Sequence, residues 1–83
     1  MWIRTQDKSK IINMGHIQYI TISKSYGSKD SDGKQLSSAI IFQPSQGSVI
    51  SMGLYHDIYE AQEIMDKLME LLSSDTATIF QMP

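Results

Sequence analysis

No cysteine occurs in the 83 residues, which excludes a disulfide framework, a thiolate nucleophile and any cysteine-held zinc or iron–sulfur site. Packing alone must hold the fold. Two prolines and five glycines are too few for a disordered or fibrous chain. Long apolar runs are also missing. The longest, Ala39-Ile40-Ile41-Phe42, compares with the roughly 20 residues a membrane-spanning helix needs. The opening MWIRTQDK carries Arg4, Asp7 and Lys8 with no apolar run behind it, unlike a secretory leader, so a cytoplasmic protein is expected.

What is present is the composition of one small globular domain, 41% hydrophobic and 19% charged. A chain of this size buries only about 60–65% of its unfolded surface, which keeps its stability modest. The net charge of −2 is unevenly spread. Residues 1–56 hold six basic and three acidic side chains, and 57–83 hold one and six. The carboxyl-terminal half therefore presents an acidic face.

The clearest element is DIYEAQEIMDKLMELLSSD. Ala61, Ile64, Met65, Leu68, Leu71 and Leu72 recur at helical spacing, while Glu60, Gln62, Glu63, Asp66, Lys67 and Glu70 fill the opposite face. Asp57 with Glu60 three residues on forms a capping-box variant, so a helix is expected over 57–73. Before it, SVISMGLY (48–55) alternates as a half-buried strand. QLSSAIIFQ (35–43) ends in the turn residues of PSQG and pairs with it as a hairpin. HIQYITISK (16–24) has apolar residues on both faces, as a central or bulged strand would. KIINM (10–14) and TATIFQ (76–81) are shorter strand candidates, and SYGSKDSDGKQ (25–35) has the composition of a mobile loop. These elements predict an α+β domain over 1–83. It comprises a curved antiparallel sheet of five or six strands, one amphipathic helix packed on one face, and a short final strand. Trp2 and Arg4 alternate with Ile3 and Thr5, as in a strand, and the other end, TIFQ, has the same character, so the two terminal strands are expected in the same sheet with Trp2 or Ile3 in the core.

MWIRTQDK, the Gly-Leu-Tyr that runs into the capped EAQEIMDKL helix, and the ending IFQMP together resemble a group of short uncharacterised proteins of Firmicutes and their phages. These begin Met-Trp-Ile-Arg-Ser/Thr-Gln and close near Met-Pro. The resemblance implies a small accessory protein of a Gram-positive bacterium or prophage, and it supplies no catalytic residues.

Chemistry-bearing constellations are sparse. His56 beside Asp57 could act as a general base, yet sequence neighbours rarely face each other and no Gly-x-Ser-x-Gly elbow is present, so no catalytic set is expected. Asp30-Ser31-Asp32-Gly33 lacks the further oxygen ligand and the twelfth-position glutamate of a calcium loop and reads as a turn, so neither a metal nor a cofactor is expected. Lys24, Tyr26, Lys29 and Lys34 could together receive a small phosphorylated ligand or nucleotide. Nucleic acid itself is disfavoured by Asp30, Asp32 and a pI near 5.5. Met65, Met69 and Leu72 widen the apolar face of the helix beyond what a small sheet covers, a candidate surface for a protein partner or for self-association. A non-enzymatic binding protein is the expected function, with phosphorylated-ligand capture as the alternative.

Overall fold

The computed structural model describes residues 1–73 and 79–83. Its order is β1 (Trp2–Arg4), β2 (Ile11–Asn13), a single 3-10 turn (Met14–His16), β3 (Ile17–Lys29), β4 (Gln35–Pro44), β5 (Ile50–Tyr55), α1 (Ile58–Ser73) and β6 (Ile79–Gln81). The α+β class holds, but the six strands do not form one sheet. They form two of three strands each, ordered β2-β1-β6 and β3-β4-β5. Nor is the pairing antiparallel throughout, because β6 lies parallel to β1, with Ile3 opposite Phe80. A parallel neighbour needs a long crossover, and the intervening hairpins and α1 provide it.

The 13-residue β3 departs most from the sequence pattern. The stretch 25–35 is not a loop. Strand pairing continues to Lys29, opposite Gln35, after a bulge between Lys24 and Ser28 that includes Gly27 at φ 78°. Only 30–34 turns. The Asp30 carboxylate accepts the backbone N–H groups of Asp32 and Lys34, both at 2.9 Å, and Gly33 supplies the left-handed conformation. Composition suggested a mobile loop, but a turn that caps itself lets polar strand ends keep their ladder.

Register sets the two faces of the second sheet. Ile20 lies opposite Phe42, Ile22 opposite Ile40, and Lys24 opposite Ser38, so these six share one face. Gly53 and Tyr55, opposite Ile40 and Ser38, extend it. A Cβ on Gly53 would stand 2.5 Å from the Tyr55 hydroxyl, so Tyr55 lies where only a glycine leaves room. Helix α1 begins at Ile58 because Asp57 caps it, its carboxylate accepting the Glu60 N–H at 2.9 Å. It buries Ala61, Ile64 and Leu68 in a core with Ile40, Phe42, Met52 and Tyr55.

Ile3 and Met82 join the same core, fully buried, and the terminal strands do share a sheet. Of the two candidates Ile3 is the core residue, while Trp2 faces outward with 48% of its surface exposed. Gln6 ties this sheet to the other. Its backbone N–H donates to Met52 O at 2.8 Å, and its side chain accepts the Leu54 N–H and donates to the Leu54 carbonyl at 2.8 and 3.0 Å. Of the strand expected over 76–81, residues 76–78 lie outside the described residues. No helix among the described residues is long and apolar enough to cross a membrane.

Candidate functional site

Helix α1 lies mainly above β4 and β5, and it leaves a valley between its own flank and the edge strand β3. Two grooves open along this valley. The first, about 320 Å³, is apolar and is walled by Ile17, Tyr19 and Ile20 of β3 and by Met65, Leu68, Met69 and Leu72 of α1, with Met14 at one end. The expected partner surface Met65, Met69 and Leu72 thus lies together in one place. Leu68 is buried beneath it, and Met69 and Tyr19 stand exposed at its rims. The helical periodicity identified this stripe. It could not show that the sheet stops short of it, because that depends on where α1 crosses the strands.

The second groove, about 560 Å³, opens at the amino-terminal end of α1. Lys24 and Tyr26 line it with the hydroxyl-bearing Ser23, Ser25, Ser37 and Ser38, and Asp57 and Ile58 form its helix wall. Lys29 and Lys34 do not line it. The four residues expected to act together are therefore divided, because Lys29 lies past the bulge on the strand and Lys34 sits in the turn. Asp57 adds a carboxylate where an anion would have to sit, which opposes phosphate binding.

Between this groove and the hairpin tip, the His56 ring bridges two carboxylates. Its Nε2 lies 2.6 Å from Asp30 Oδ2, and its Nδ1 lies 2.9 Å from Glu60 Oε2. The same Glu60 oxygen accepts the His56 backbone N–H, and Ser37 Oγ donates to the His56 carbonyl at 2.5 Å. Hydrogen bonding to Asp30, and then to Glu60, raises the His56 pKa above its ordinary 6.5, and the same contact with His56 lowers that of Asp30. The neighbour that sequence offered, Asp57, is engaged in the helix cap instead. The i,i+4 spacing of His56 and Glu60 was legible, whereas Asp30, 26 residues away, was not.

A histidine with both ring nitrogens engaged by carboxylates has no free ring nitrogen to serve as a general base. His16 sits at the opposite end of the β3–β4 hairpin, where its carbonyl accepts the Ser45 N–H, roughly 26 Å from His56 counted along β4. Among the described residues no cluster of three or more His, Asp or Glu is placed to hold a metal. The Asp30–Gly33 segment, with Asp30 Oδ1 turned onto backbone N–H groups, folds as the expected turn. No family model, curated protein or solved structure matches the chain.

Proposed function

We propose that this is a non-enzymatic binding protein, an accessory protein of a Gram-positive bacterium or one of its phages, whose working surface is the β3–α1 valley. The observation that carries the reading is the apolar groove, where Tyr19, Met69 and Leu72 remain substantially exposed although the chain has a buried core of its own. Exposed apolar side chains gathered around a concavity mark contact surfaces, and methionine adapts readily to a partner's shape. The occupied ring nitrogens of His56, and its separation from His16, support a role without catalysis. The origin rests on the resemblance of MWIRTQDK, GLYHDIYEAQEIMDKL and IFQMP.

A photo-crosslinking amino acid at Met69, introduced in the cell of origin, tests this. Adducts are expected at Met69 and not at Glu63 on the outer face of α1, and equal labelling at both positions would defeat the reading.

Capture of a phosphorylated ligand is a second reading, supported by Lys24 and Tyr26 in the second groove. Saturation with such a ligand adds about 2.7 kcal/mol of stability at one hundred times Kd. A nucleotide panel that leaves the melting temperature of the wild type and of Lys24→Ala alike unchanged removes it.

A further inference from the structure

We infer that the occupant of the valley is a second copy of this chain, joined antiparallel to the first along β3 about a two-fold axis, so that two three-stranded sheets become one of six. The inference rests on the proposed binding role and specifies its partner.

The edge itself is the first argument. The order β3-β4-β5 leaves the outer side of β3 without a partner strand among the described residues. Between its two irregularities β3 pairs regularly with β4 from Tyr19 to Lys24, a six-residue run of unbroken register. Free edges are commonly blunted by lysine, proline or an inward charge. The run from Tyr19 to Ser23 contains none of these, and the strand's two irregularities fall outside it, at Ile17–Tyr19 and Lys24–Ser28. The other edge of the same sheet is treated differently, because Gln6 occupies the Leu54 N–H and carbonyl of β5. One edge is closed by the chain's own side chain, and the other is left ready to pair.

Symmetry supplies the second argument. A two-fold axis perpendicular to the sheet at the β3 edge puts both helices on the same side, flank to flank. The flank of α1 that faces this edge is Ile58, Gln62, Met65, Met69 and Leu72, spaced four, three, four and three residues apart as in a helix–helix seam. No charge falls on it. Glu60, Glu63, Asp66, Lys67 and Glu70 all project elsewhere around the helix. With α1 above β4 and β5 and strands about 4.8 Å apart, the two helix axes would stand about 14–19 Å apart. That is wider than direct helix contact, and the antiparallel arrangement would bring Met65 and Met69 of each flank toward Gln62 and Ile58 of the other across the gap.

Apart from Lys24 and Asp57 at the second groove, the facing strand run and helix flank carry no charge, and this selects the occupant. A basic or acidic partner would find no complement here, whereas an isologous contact needs only that the surface match itself. Lys24 is the first charge along the strand, at the end of the regular run, so pairing about its middle leaves Tyr19–Ser23 neutral on both copies.

Sedimentation equilibrium and native mass spectrometry of the full chain test the assignment. The wild type is expected to be a dimer in the micromolar range. Met69→Glu and Tyr19→Lys should each weaken it roughly thirtyfold or more, and Glu63→Lys should not. Both test positions are more than half exposed, and far-UV circular dichroism reports whether each variant keeps its fold. A wild-type monomer at millimolar concentration, or a dimer that survives both substitutions, overturns the proposal. A monomer whose position 69 still cross-links to a different protein overturns the second copy but leaves the valley as the working surface. A monomer with no adduct at position 69 overturns both.

Discussion

His56 is the residue whose surroundings most change with pH. Its proton is stabilised in the folded state by Asp30 and Glu60, so its folded pKa lies above the ordinary 6.5. The stabilisation is therefore complete below 6.5 and lost as pH rises through the folded value. Asp30 acts in the opposite sense. Its folded pKa lies below the ordinary 3.8, so its contribution is present above 3.8 and lost as pH falls through the folded value. The bridge between hairpin tip and helix start is strongest between these two ordinary values. Melting temperature should fall as pH rises above 6.5 in the wild type, and His56→Gln should flatten that slope. An unchanged slope in the variant would show that His56 is not its source. His56 and Glu60 are well exposed and Asp30 is half-buried at the surface, so the expected signal is a change of slope and not a large change in stability.

At the scale of elements, Gln6 does the work of a strand. Its side chain substitutes for a neighbour at the β5 edge by meeting both the N–H and the carbonyl of Leu54, and it also donates to the Pro83 carbonyl at 2.8 Å. Gln6→Ala leaves both partly buried Leu54 groups unpaired and should cost about 1–3 kcal/mol, which lowers the melting temperature of a chain this size by about 4–8 °C per kcal/mol. Thermal unfolding followed by circular dichroism measures it, and a shift below one degree would mean that water replaces the glutamine without loss. The helix cap, by contrast, is legible in the spacing of its two acids. Asp57 and Glu60 both take backbone N–H groups, with Glu60 reaching one residue farther back than a standard box, to His56.

For the whole molecule, the two ends of the chain close the fold on each other. Ile3 of β1 and Met82 beyond β6 are both buried, Met82 N–H donates to the Arg4 carbonyl at 3.1 Å, and the side chain of Arg4 reaches Gln81. Removing residues 79–83 takes away a core side chain and the parallel partner of β1 together. Burial of a methionine alone contributes about 1.5–3 kcal/mol, a large share of the stability of a marginal small domain. The truncated chain should lose the single cooperative urea transition expected of the full one, and an unchanged midpoint would show that β6 is dispensable.

The sequence by itself determined what depends on neighbours a few residues apart. It determined the helix and its cap, the strand runs that became β3, β4 and β5, the turn at Asp30–Gly33, and the apolar stripe of Met65, Met69 and Leu72. Periodicity and capping act within one or two turns of backbone, so one chain displays them. Tertiary structure decided what depends on residues far apart. It split the strands into two sheets, chose Ile3 over Trp2 for the core, set Gln6 on β5, and paired His56 with Asp30 across 26 positions. It also parted Lys24 and Tyr26 from Lys29 and Lys34, because a bulge at Gly27 carried strand pairing through residues that composition marks as loop. Long-range register comes from the packing of the whole chain, and local pattern carries no record of it.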